Sequence, residues 1–135
     1  MRGNRATLAV TVIALVLASC GGQPSASPSV VRPSSPAVIT IVEPTAGQTV
    51  SGTSVHVVLS LTGAKIVPQT TTKIRPDEGH VHLFVDNVLV SMNYGLEQDL
   101  TVHPGTYVLT AEFVAADHAP FSPRVVTPQT IFSVR

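Results

Sequence analysis

The sequence predicts an all-β sandwich, on three observations. From Ala37 onward, short valine-rich runs alternate apolar with polar positions, the period of a half-buried strand. Glycine, proline, asparagine and aspartate punctuate these runs at short intervals, as turns would. No stretch of useful length carries the apolar spacing of a helix. With 135 residues, the chain accommodates one modest domain preceded by an export segment.

Taken in order, the chain begins with a signal-like layout. Arg2 and Arg5 form a positive start, and Thr7–Leu17 is an apolar run too short to span a bilayer. Leu17-Ala18-Ser19-Cys20 then resembles the lipobox of bacterial lipoproteins. That resemblance implies a signal peptide over 1–19, cleavage before Cys20, and acyl chains of the palmitate type on its sulfur. The expected location is the cell membrane, with the protein lipid-anchored on the extracytoplasmic face. Cys20 is the only cysteine, so no internal disulfide is available and packing must hold the fold. Residues 20–36 are rich in proline and serine without apolar periodicity, which predicts a disordered linker. Such a spacer reaches about 20 Å as a coil and about 50 Å as polyproline helix.

The folded domain is expected over 37–135. Val38–Glu43 reads as a first strand stopped by Pro44, and Thr45–Gly52 as a turn-rich stretch with a short kinked continuation. Ser54–Thr62 directs Val55, Val57, Leu59 and Leu61 inward and His56, Val58 and Ser60 outward. A long connection, Gly63–Gly79, leads to Gly79–Asp86, the most regular strand of the chain. There Val81, Leu83 and Val85 face the core, while His80, His82 and Phe84 take the solvent side. Asp86-Asn87 forms a two-residue hairpin turn into Val88–Met92. Glu97–Val102 and Thr106–Ala115 follow, the latter with Tyr107, Leu109, Ala111 and Phe113 on one face. Asp117–Pro123 reads as a loop with two prolines, and Arg124–Arg135 as a last strand broken near Pro128.

Within Leu100-Thr101-Val102-His103-Pro104-Gly105-Thr106-Tyr107, the placement of Tyr107 resembles the tyrosine corner of immunoglobulin-like and fibronectin-type-III domains. The resemblance implies an antiparallel immunoglobulin-like or fibronectin-III-like sandwich of about seven strands, and says nothing of activity.

In that strand order the start of Gly79–Asp86 meets the end of Thr106–Ala115. His80 and His82 would then meet His118 at one end of the sandwich, with His56 on the other sheet and His103 at the opposite end. Imidazoles at i and i+2 on one strand face, joined by a third, form a donor set for Cu(II) or Zn(II). Asp117 or Glu78 would be a fourth ligand or would orient an imidazole. A cuprous site is disfavoured, because Met92 is the only methionine of the domain and is expected on the far side of a hairpin. Glu112, on an outward position, is expected to be a solvated charge.

Gly79-His80-Val81-His82-Leu83, Pro104-Gly105-Thr106-Tyr107-Val108-Leu109 and Asp117-His118-Ala119-Pro120 together resemble a family of bacterial extracytoplasmic domains of unknown function. That family carries a Gly-His-His-His-Leu-like strand, a Pro-Gly-x-His-x-Leu strand and an Asp-x-x-His-x-Pro loop. Here Tyr107 stands where the family tends to have histidine, and no His-x-His-Gly-like segment lies around Asn93–Glu97, so the histidine set is reduced. His80-Val81-His82 is also similar to the copper-binding strand of copper/zinc superoxide dismutases, but the other histidines of that family are missing.

The basic and acidic side chains balance at 8 each, and without Arg2 and Arg5 the mature chain is slightly acidic. No basic stripe exists, which argues against a nucleic-acid partner. No nucleophile elbow, phosphate loop or H-E-x-x-H is present, which argues against an enzyme. Two expectations follow. One is a tethered binding module whose loops 63–79 and 117–123 meet a protein, glycan or small ligand. The other is a Cu(II)- or Zn(II)-binding lipoprotein using His80, His82 and His118.

Overall fold

The structure, a computed structural model, describes residues 31–135; the signal-like segment, the lipobox and the linker up to residue 30 lie outside the described residues. Ten strands follow one another: β1 Val38–Glu43, β2 Thr49–Val50, β3 Ser54–Thr62, β4 Lys65–Ile66, β5 Glu78–Val85, β6 Val88–Asn93, β7 Glu97–Thr101, β8 Gly105–Ala115, β9 Pro120–Val126 and β10 Thr130–Val134. Three of them, in the order β1-β3-β7, form one sheet. The other seven form the second, with β2-β10-β8-β5-β4 in sequence, β6 beside β5 and β9 beside β8. Pairing is antiparallel except for the short β2–β10 and β4–β5 contacts.

Alternation dictates the core. Val55, Val57 and Leu59 of β3 face Val81 and Leu83 of β5 and Leu109, Ala111 and Phe113 of β8, all buried. Removing such surface from water is the main favourable term for a chain without disulfides. At the far end the tyrosine corner is present, with the Tyr107 hydroxyl donating to the His103 carbonyl at 2.9 Å. The Asp86-Asn87 turn has φ of 50° and 65°, the left-handed pair a tight hairpin requires.

Two segments differ from expectation. Pro120–Val126 is a strand although 117–123 reads as a loop. Its prolines are tolerated because β9 pairs only with β8 and lies at a sheet edge. Residues 31–36, the end of the expected disordered linker, lie against the domain. The Pro33 carbonyl accepts the Ser122 amide at 3.0 Å, and the Ser35 hydroxyl donates to the Pro76 carbonyl at 2.6 Å.

The strand that matters most for function is β5. It lies antiparallel to β8 along its whole length, from Gly79 opposite Ala115 to Val85 opposite Leu109. The two backbones approach so closely at Gly79 that an added Cβ would run into the Val114 carbonyl and the Phe113 ring. Glycine at this position sets the start of β5, and with it His80, against the end of β8.

Candidate functional site

Alternation puts His80 and His82 on the side of β5 away from the core, as the sequence predicts, but not in solvent. His80 is 0% exposed and His82 only 7%. Their cover is the connection between β4 and β5, which folds back over the sheet. The Val67 amide donates to the Gly79 carbonyl, the Thr71 amide donates to the Ala116 carbonyl, and Thr70 reaches His118. The outer face of the sheet is thus a second, smaller interior at this end.

His118 joins them from the turn between β8 and β9. Its ring centroid lies 4.2 Å from that of His80 and 5.5 Å from that of His82. His82 Nε2 stands 3.2 Å from His118 Nδ1, so one of the two donates and the other must be unprotonated. His118 Nε2 pairs with the Thr70 hydroxyl at 3.1 Å. The edge of the Tyr94 ring closes the pocket over His80, centroids 4.9 Å apart.

His80 is the anomaly. Both of its ring nitrogens are buried and neither makes a well-formed hydrogen bond, although the Gln69 and Val67 carbonyls lie close by. Burial pushes its pKa below the ordinary histidine value and His118 adds repulsion, while peptide groups of Gln69 and Val67 pull weakly the other way. His82 is lowered for the same two reasons, burial first and His118 second, with Glu112 opposing. A buried nitrogen without a partner loses its hydration and gains nothing in exchange, so it calls for a ligand, a water or an ion.

The expected fourth ligands are engaged elsewhere. Glu78 pairs with Lys65 at 3.1 Å and Arg75 at 3.2 Å, and Asp117 is held by Arg32 at 2.6 Å. That ion pair keeps the Asp117 carboxyl below the usual carboxylate range. His56 and His103 lie apart from the cluster, on the other sheet and at the tyrosine corner respectively. As the side chains stand, the rings stack on one another. Among the described residues no group of three or more His, Cys, Asp or Glu side chains is arranged to hold a metal ion.

These three imidazoles sit on a fibronectin-III-like sandwich. One similar solved structure is that of the Clostridium thermocellum CbhA fibronectin(III)-like modules, at TM-score 0.54 and 20% identity, covering 73% of this chain and 46% of that one. An engineered protein also matches, at TM-score 0.44 and 16% identity, over 73% of this chain and 20% of the other. The chain thus spans less than half the length of either. The likeness to the CbhA modules, at that identity, shows the fold alone. No known protein family matches the chain, and no curated protein does.

Four contributors were not read from sequence, or were read wrongly. Glu112 is 2% exposed, not solvated, and is bound through both oxygens by Arg124, with Arg124 Nε at 2.7 Å. It lies directly opposite His82 in the β5–β8 register, a pairing that alternation on both strands already contained. Met92 is the residue opposite His82 on β6, so the thioether stands beside the cluster's face and not behind a hairpin. Thr70 and Arg32 come from segments without strand pattern, and no local signal announces them.

Proposed function

We propose that this chain is a lipid-tethered extracytoplasmic β-sandwich module that holds a divalent first-row metal ion, Cu(II) or Zn(II), through His80, His82 and His118. One observation carries the metal reading. His80 is wholly buried, has two unpartnered nitrogens and touches His118, which in turn touches His82. The 3.2 Å between His82 Nε2 and His118 Nδ1 is also close to the spacing of two ligands on one tetrahedral ion, about 3.3 Å for bonds of about 2.0–2.1 Å. An ion would replace that contact and give His80 the partner it lacks. Neutral imidazoles are the ligating form, and the lowered pKa of His80 and His82 keeps them neutral.

The stretch from Val67 to Thr71 lies over the imidazoles, with Thr70 bonded to His118, which supports a small ligand there over docking of a large partner. Tethering rests on the lipobox-like Leu17-Ala18-Ser19-Cys20. The role proposed is binding, not catalysis.

Titration of the full chain with Cu(II) and with Zn(II), read by calorimetry, tests the site. Stoichiometric binding lost in His80→Ala and in His82→Ala but kept in His56→Ala is the expected result. Absence of binding by both metals overturns it. Labelling of the protein with a fatty-acid analogue, abolished by Cys20→Ser, tests the tether.

A further inference from the structure

We propose that Arg32, at the junction of linker and domain, is the positioning residue for His118, with the segment 32–35 fastening the turn that carries it. The inference rests on the metal reading for its consequence but on separate geometry for its content.

His118 has φ of 64°, a left-handed conformation that a non-glycine residue adopts at a cost of about 1 kcal/mol or more. The turn itself offers little to hold it there. The His118 amide donates to the Ala115 carbonyl at 2.8 Å and the Ala115 amide to the Ala119 carbonyl at 3.0 Å. Thr70 and His82 hold the His118 ring, and Arg32 holds the backbone on either side. Its Nη1 and Nη2 grip Asp117 Oδ2 and Oδ1 at 2.6 and 2.9 Å; Nη2 also donates to the Ala119 carbonyl and Nε to the Pro120 carbonyl, each at 2.9 Å. Asp117 Oδ1 in turn accepts the Ala119 amide at 3.1 Å. One guanidinium therefore holds the residues before and after His118 while the imidazole itself pairs with His82 and Thr70. A planar fork with fixed donors can do this; a flexible ammonium cannot.

The fastening continues past the turn. Pro33 accepts from Ser122 on β9, and Ser35 donates to Pro76, just ahead of β5. Residues 32–35 thus join the turn carrying His118 to the connection that covers His80. The ring of His118 depends on this joint for its place between the other two.

Arg32→Ala should weaken Cu(II) and Zn(II) binding by about tenfold or more, the usual effect of removing a group that orients a ligand. The Cu(II) paramagnetic resonance spectrum of this variant should lose the signature of one coordinating nitrogen. Arg32→Lys should restore only part of the affinity, and it also serves if Arg32→Ala does not fold. The deciding test is a double-mutant cycle with His118→Ala. If Arg32 acts through His118, adding Arg32→Ala to His118→Ala changes affinity no further. Additive losses, or no loss in Arg32→Ala, overturn the proposal. If the parent chain binds neither metal, the metal reading fails while the positioning role stays open to a second measurement. Arg32→Ala should then shift the His118 ring resonances and speed amide exchange across Asp117–Ala119, and resonances that do not move would refute it.

Discussion

His80 and His56 both lie on outward positions of alternating strands, on opposite sheets of one sandwich, and their surroundings are reversed. His56 is exposed and faces carboxylates, with Nδ1 2.9 Å from Asp99 and Nε2 3.8 Å from Glu97. His80 is buried under the β4–β5 connection with no carboxylate bonded to it and neither nitrogen in a well-formed hydrogen bond. One ring is arranged to carry charge in water. The other is buried and held toward its neutral form, with no carboxylate beside it. Sequence alternation treats the two alike; what differs is the connection that covers one sheet face and leaves the other open.

The strongest way to break this contrast is through the acid that anchors the covered face. Glu112 is buried opposite His82, and its charge is balanced by Arg124. Arg124→Ala leaves a buried carboxylate opposite His82 without its counter-charge. A fully enclosed pair broken this way costs about 3–5 kcal/mol; Arg124 is 61% exposed, so water takes its place in part and about 2 kcal/mol is expected. The corresponding substitution on the open face, Asp99→Ala, should change stability little. Urea unfolding of the two variants, compared with the parent, checks both.

The next effect has the opposite sign. Replacing His80 by leucine removes two buried nitrogens that have no partners and keeps the volume. In metal-free protein this should raise stability by about 1 kcal/mol, since a desolvated polar group is exchanged for an apolar one. The same variant should lose metal binding. A residue that weakens the fold and is needed for the ligand is the mark of a functional position. Equal or lower stability of metal-free His80→Leu would instead make the imidazole a packing element.

How much of this was legible in the residues follows from what kind of contact each one makes. The valine alternation of Ser54–Thr62 and Gly79–Asp86 gave the core faces, because a strand's period is a property of the strand alone. The meeting of His80, His82 and His118 was also readable, since it needs only the β5–β8 pairing. Burial of His80 was not, because Thr70 and Thr71 lie in a segment with no period and reach the site by single hydrogen bonds. Arg32 was hidden for a stronger reason. Its neighbours have the composition of a disordered linker, and one arginine fork is enough to hold the end of such a segment in place. Glu112 reads as solvated from its outward position alone; what covers it is a guanidinium from a separate strand, which the period of β8 does not contain.

Tyr107→Phe sharpens the comparison between the two ends of the sandwich. It removes both bonds of the hydroxyl to His103, the one accepted from the amide and the one donated to the carbonyl, and leaves the ring stacked on Phe132. A loss of about 1–2 kcal/mol is expected in urea unfolding, at about 0.5–1.5 kcal/mol net for each hydrogen bond. Metal affinity should be unchanged, because the corner lies at the end of β8 away from His118.

The smallest effect concerns pH, and here the two histidine environments should pull in opposite directions. His80 and His82 have folded pKa values below the unfolded value of about 6.5, so the unfolded chain takes up their protons more readily. Their neutral forms favour the metal-free fold fully above that value, and this contribution is lost as pH falls through it toward the depressed folded values. His56 is raised, chiefly by its hydrogen bond to Asp99. Its contribution is complete below about 6.5 and disappears as pH rises through the folded value. Being exposed, it should be the weaker of the two. Metal-free protein should therefore lose stability on acidification from pH 8 to pH 5, His56→Ala should steepen that loss slightly, and His80→Leu should flatten it. A His56→Ala profile flatter than the parent's would mean that the exposed ring, not the covered cluster, sets the acid response.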